Sequence, residues 1–187
     1  IVVIDPGHGG DLWPGAVYGG IIEKDVNLDF ALELKKITDQ QENIKFYYLR
    51  TEDMDVTLDT RVALTNELEP DMFISLHCNA NDYRYVKGTE VFYAADYSEE
   101  SEFNGKVLAE HIYENLSKSL DSEGRGALKT AEYKVVIKSK VPAVLIELGY
   151  MTNSRDLQRL SDIAFLRQAA EVLYDTICEL YTTYEMN

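Results

Sequence analysis

Three residues stand where apolar runs give way to polar ones. His8 follows a β-branched run in "IVVIDPGHGG", His77 follows another in "DMFISLHCNA", and Glu147 interrupts a third in "VPAVLIELGYMTN". The chain holds only three histidines. Two of them at matching positions, each just past a buried strand, imply rings that converge on one cleft. Glu23, in "GGIIEKDVNL", adds a carboxylate at the start of a helical segment. Alone it reads as an acid favoured by the positive end of a helix. With His8 and His77 it completes a His, Glu, His set, the ligand types of catalytic zinc with a fourth position open to water. The long spacing matches no short zinc pattern such as HExxH.

Glu147 poses a different problem. Preceded by Val144, Leu145 and Ile146, its carboxylate is deep enough to cost several kcal/mol unless compensated. A buried salt bridge is one answer. A general base, or a fourth metal ligand, is the other. A phosphate-binding loop at "GHGGDL" is disfavoured, because the GxGxxG spacing fails at its last position and no GKS or GKT follows.

Positioning such residues requires strands that end together. Strand-like runs occur over Ile1–Asp5, Lys45–Arg50, Met72–His77, Thr89–Ala94 and Ala143–Leu148. The first, third and last are continuously apolar, as in strands covered on both faces. The spacing predicts a helix over Asp25–Gln40 with Leu28, Ala31, Leu32, Leu34 and Ile37 near one face, and another from Thr57 to about Glu69, ended by Pro70. Further helices are expected over Ser101–Leu120 and after Asn153. A final one stacks Leu166, Ala170, Leu173, Ile177, Leu180 and Tyr184 on one stripe. The alternation implies an α/β domain of three layers, a mostly parallel or mixed sheet flanked by helices on both faces. The segment "SEGRGALK", residues 122–129, reads as a mobile loop.

The 187 residues fit one domain, spanning residues 1–187, with a sizeable core. The formal charge of −15 disfavours nucleic acid and anionic membranes as partners. No apolar stretch is long enough for a transmembrane segment. No signal peptide is visible, and a cleaved one would leave no trace. Cys78 and Cys178, a hundred positions apart, read as free thiols.

Together, "IDPGHGG", "EKDVNL", "RTED", "TRVALTN", "FISLHCNA", "GTEVFY" and "VLIELGYMTN" follow the order of the zinc-dependent N-acetylmuramoyl-L-alanine amidases of bacterial cell walls, and nearly the whole chain resembles that family. The resemblance implies a twisted mixed sheet, Zn2+ on His8, Glu23 and His77, and Glu147 as the catalytic carboxylate. It implies hydrolysis of the bond between muramic acid and the L-alanine of the peptidoglycan stem peptide, at the cell envelope or outside the cell. A separate wall-binding domain or an activator protein is an expected partner. Asn79 and Arg125 are candidate substrate-binding residues. Asp5 is expected to orient a histidine, and Arg61 and Glu90 to form a structural ion pair or helix anchor. His111, on an amphipathic helix, is not expected to bind metal. The loop "DLWPGA" is longer than the family's usual turn, which places Trp13 near the cleft mouth. Ala95–Ser101 is too short for the inhibitory helix of some family members, so an open cleft is expected. The rival readings are a wall-binding module without turnover and a zinc carboxypeptidase.

Overall fold

The structure is a computed structural model and describes residues 1–95, 101–130 and 132–186. Its elements in chain order are β1 (Val2–Pro6), β2 (Val17–Tyr18), β3 (Ile21–Ile22), α1 (Glu23–Thr38), β4 (Phe46–Tyr48), α2 (Leu58–Leu68), β5 (Met72–Asn79) and β6 (Glu90–Ala94). There follow α3 (Gly105–Ser119), β7 (Gly126–Thr130), α4 (Lys134–Ile137), β8 (Ala143–Tyr150), α5 (Ser154–Leu160) and α6 (Ile163–Thr183). Six strands form one mixed sheet in the order β4-β1-β5-β8-β6-β7. β4, β1, β5 and β8 are mutually parallel, while β6 joins β8 antiparallel and carries β7 parallel to itself.

Side chains alternate across a strand, and each face has its own core. Val2, Ile4, Ile74, Leu76, Val144 and Ile146 pack beneath α1, α3 and α6. Val3, Phe73, Ala143 and Leu145 face the other way, against Val135 and Val136 of the short α4 and the flank of α2. Each fully buried Leu or Ile contributes about 1.5–3 kcal/mol. Asp5, Ser75, His77 and Glu147 follow the alternation onto the second face, where an eleven-residue and a four-residue helix give the thinner cover. That asymmetry leaves room for a cavity.

Thr57, expected to start α2, accepts from Thr60 N, and Asn153, expected just before a helix, caps α5 by accepting from Arg155 N and Asp156 N. α2 ends at Glu69 in a left-handed conformation, one residue before Pro70. On α1 the buried stripe is Val26, Phe30, Ala31 and Leu34, with Leu28, Leu32 and Ile37 only half-buried. The helix is rotated from the expected face because Glu23, Lys24 and Asn27 must also point inward. Residues 126–129 of the expected mobile loop instead belong to β7, at the sheet edge. An edge strand hydrogen-bonds to a single neighbour and needs no continuous apolar run, so propensity gave no signal. Both cysteines are free. Of the short connection Ala95–Ser101, residues 96–100 lie outside the described residues. Among the described residues, no helix is long and apolar enough to cross a membrane.

Candidate metal centre

The chain leaves β1 through Gly7 into a loop fixed by side chains from three other segments. Arg50 Nε donates to Pro6 O at 2.8 Å, and its Nη2 donates to Gly7 O at 2.9 Å and Lys24 O at 2.8 Å. Asn27 Nδ2 donates to Gly7 O at 3.2 Å. Arg61 Nη1 donates to Pro6 O at 2.9 Å, and Nη2 to His8 O at 2.6 Å. These bonds hold His8 at φ 61°, a left-handed conformation rare for a residue with a side chain. Gly7 gives the ring of His77 its space: a Cβ there would come within 2.2 Å of His77 Nε2.

Glu23 is the first residue of α1, which has no side-chain cap. The preceding loop supplies its acceptors instead. Glu23 N donates to Ala16 O at 2.9 Å and Lys24 N to Pro14 O at 3.1 Å, satisfying N–H groups that a helix start leaves open. In return, Ala16 N donates to Glu23 Oε2 at 2.8 Å. That bond turns the other oxygen, Oε1, toward the histidines. Gly19 and Gly20, both at positive φ, close the β2–β3 hairpin that returns the chain to this point.

Glu23 Oε1 lies 3.1 Å from His8 Nε2 and 2.9 Å from His77 Nδ1. The two rings meet edge to face with centroids 4.8 Å apart. One ligand atom from each of the three residues falls within 4.8 Å of the others. Ligand atoms about 2.0–2.1 Å from a tetrahedral zinc lie roughly 3.4 Å from each other, so the set fits such an ion. Burial alone would raise the Glu23 carboxyl. Hydrogen bonds and charge from His77 and His8 outweigh it and hold the group well below the usual carboxylate range.

Glu147 sits beside His77 in the β5–β8 register. It is 6% exposed, and its Oε2 has no hydrogen-bond partner. The salt bridge weighed for it from sequence is not formed among the described residues. Burial, then the negative charges of Glu23 and Glu90, push its proton affinity well above that of an ordinary carboxylate. An unpaired acid beside a second acid is the environment a divalent cation relieves. Just beyond, the register slips so that Asn79 faces Tyr150, placing an extra residue in β8. Such bulges re-aim side chains at strand ends.

A cavity of about 530 Å³ gathers His8, Glu23, His77 and Glu147 with Asn79 and Trp13. Thr57 and Leu58 of the α2 end, and Tyr133, Lys134 and Val135 around α4, form its other walls. His8 and His77 are 29% and 16% exposed at the side chain, so the cluster reaches solvent. Arg125 does not line the cavity. It grips buried Glu90 through Nε and through Nη2 at 2.8 Å, and Tyr150 donates to the same carboxylate at 2.8 Å. Among the described residues, Asp5 makes no hydrogen bond or ion pair with a histidine. It accepts from Arg61 and from Ser75 Oγ at 2.8 Å, and so acts on His8 only through Arg61. Arg61 and Glu90 each belong to an ion pair, with Asp5 and Arg125 respectively. His111 lies on α3, its ring 6.3 Å from that of Tyr184. In the sequence, Arg50 stands out only as part of "RTED". Its grip on three carbonyls had no signature beyond the arginine itself.

A family profile described as N-acetylmuramoyl-L-alanine amidase matches residues 2–179. The chain belongs to this family. Among sequence relatives, the amidase LytC of Bacillus subtilis is 34% identical over 180 residues, covering 96% of this chain but 35% of LytC. The uncharacterised protein YqiI of the same organism is 35% identical over 182 residues, covering 96% of this chain and 84% of YqiI. The chain thus spans about a third of LytC and most of YqiI. Among solved structures, an N-acetylmuramoyl-L-alanine amidase of Clostridium difficile 630 superposes with TM-score 0.88 at 28% identity, covering 97% of this chain and 96% of that one. The amidase AmiC2 of Nostoc punctiforme gives 0.87 at 34% identity, with coverage of 97% and 96%. The mixed sheet and its helices are the fold of amidase catalytic domains.

Proposed function

We propose that residues 1–187 form an amidase catalytic domain that hydrolyses, with zinc, the amide between N-acetylmuramic acid and the L-alanine of the peptidoglycan stem peptide. The observation that carries this reading is the gathering of His8, Glu23 and His77 beside the unpaired carboxylate of Glu147, in a cavity open to solvent. His8, Glu23 and His77 would hold the ion. Zinc in such a site supplies Lewis acidity to a carbonyl and makes water a better acid.

The remaining chemistry falls to the chain. Glu147 takes the proton of the attacking water, and the water oxygen bonds to the carbonyl carbon. Glu147 then returns the proton to the leaving nitrogen as the C–N bond breaks. A raised proton affinity suits a group that must both take and give a proton, work usually worth about 10²–10⁴ in rate. Ala16 N–H holds Glu23 in one orientation throughout, and Arg61 and Arg50 do the same for the His8 loop. Asn79 lies in the cavity wall and is proposed to meet substrate there. Arg125 is proposed to reach the stem peptide only from outside the cavity, since Glu90 engages most of its guanidinium.

The names of the relatives support action at the cell envelope. The larger size of LytC supports attachment through a domain beyond the present chain. Incubation of the protein with purified cell wall tests the proposal. The expected result is release of free stem peptides beginning with L-alanine, abolished by a chelator and by Glu147→Gln. Products that keep the sugar–peptide bond would point to a carboxypeptidase, and no products at all to a binding module.

A further inference from the structure

Trp13 is the only tryptophan in the chain and is 60% exposed, yet it lines the cavity that holds the histidines. Leaving an indole in water forgoes roughly 2–3 kcal/mol that burial would have contributed. Leu12 beside it and Val17 nearby in sequence are exposed as well. Exposed apolar surface at the edge of a reactive cleft is the usual mark of a contact reserved for a ligand.

The loop that carries Trp13 is fixed, which separates a platform from a loose tip. Gly9 N donates to Trp13 O at 3.0 Å, closing the loop on itself. Gly10 N donates to Asp53 Oδ1 at 2.8 Å, and Lys24 Nζ donates to Gly10 O at 3.0 Å and Asp53 Oδ2 at 2.6 Å. On the far side, Lys24 N donates to Pro14 O. The main chain that carries the indole is held before any ligand arrives, so little backbone ordering entropy is lost on contact.

Sheet order gives the cavity a direction. The Trp13 loop leaves β1, on one side of β5, whereas α4 packs over β8 and β6 on the other. The wall opposite Trp13 therefore carries Tyr133 and Lys134. A pyranose ring presents C–H groups on one face, which match the negative face of an indole, and the contact needs no charge. That suits a chain of net charge −15. With the pyranose on Trp13 and the amide at the histidines, the stem peptide is left to run along this opposite wall, where Lys134 is already paired with Asp59.

Building on the amidase reading, we propose that Trp13 is the sugar platform of this cleft. It stacks on the pyranose of the muramoyl group and directs the stem peptide toward α4. With one tryptophan, its emission reports the contact directly. The test titrates N-acetylmuramoyl-L-alanyl-D-isoglutamine, and separately the lactoyl dipeptide without the sugar ring, into zinc-loaded Glu147→Gln protein. The expected result is a shift of tryptophan emission to shorter wavelength with the sugar-bearing ligand and none with the sugar-free one. Trp13→Ala is expected to lower the preference for the sugar-bearing ligand about tenfold, by calorimetry, and Trp13→Phe to restore most of it. Equal emission changes with both ligands, binding without any emission change, or no binding of the sugar-bearing ligand would each overturn the platform. Failure of the wild-type protein to cleave cell wall is a separate result and bears on the amidase reading instead.

Discussion

Arg61 donates through Nη2 to the backbone carbonyl of His8 at 2.6 Å, while Asp5, itself bonded by Ser75, grips the same guanidinium. The imidazole of His8, a proposed zinc ligand, is therefore positioned through its main chain, by an arginine from the first turn of α2. Ser75, Asp5 and Arg61 are all buried.

Removing Arg61 should leave Asp5 as a buried, uncompensated charge. Arg61→Met is expected to destabilise the metal-free fold by about 3–5 kcal/mol, read from urea unfolding in the presence of chelator. Arg61→Lys keeps the charge but cannot span Pro6 O, His8 O and Val56 O together. It should retain most of that stability and still bind zinc more weakly in chelator competition. Zinc affinity equal to wild type in Arg61→Lys would show that His8 needs no such support.

Gly7→Ala separates sterics from backbone strain, because Gly7 is not among the positive-φ glycines. Its Cβ would collide with the ring of His77. The protein should fold, but zinc affinity should fall at least tenfold as the ring is displaced. Unchanged affinity would mean that His77 has freedom to move aside.

Metal binding and hydrolysis should part company at two positions. His77→Ala is expected to lose both zinc and activity. Glu147→Gln should retain stoichiometric zinc, measured by elemental analysis, while hydrolysis of cell wall falls about 10²–10⁴-fold. Near-normal turnover in Glu147→Gln would remove this carboxylate from the reaction.

Stability of the chelated protein should depend on pH in a direction set by Glu147. Its native proton affinity lies above the ordinary value of 4.5. The native state thus keeps a proton that the unfolded chain has released, and stability falls as pH rises from 4.5 toward the native value. Glu23 has the opposite sign: its depressed value gives stability that is full above 4.5 and lost in stronger acid. As pH rises above 4.5, urea midpoints of wild type should therefore decline relative to those of Glu147→Gln. Parallel profiles would contradict this.

Much of the candidate site was legible because its residues sit where hydrophobic pattern stops. His8, His77 and Glu147 announce themselves as polar residues at the ends of apolar strands, and the sheet then makes β1, β5 and β8 consecutive neighbours. The supports were less visible. Arg50 and Lys24 act on main-chain carbonyls, and any exposed cation has the same one-letter appearance. Sequence alone makes Asp5 a histidine partner, because its reach to Arg61, 56 residues away, depends on how α2 crosses the sheet. β7 was missed for a similar reason, since its definition lies in pairing with β6 rather than in its own composition.

The reversal of β6 has a practical meaning for anyone redesigning this protein. Because Glu90 pairs with Glu147 and Tyr93 with Val144, the strand enters at the reactive rim and departs from the opposite edge. The segment 80–88, which arrives there, is where a graft could reshape selectivity. Cargo fused after Ala95 would start out at the far edge and stay clear of the chemistry.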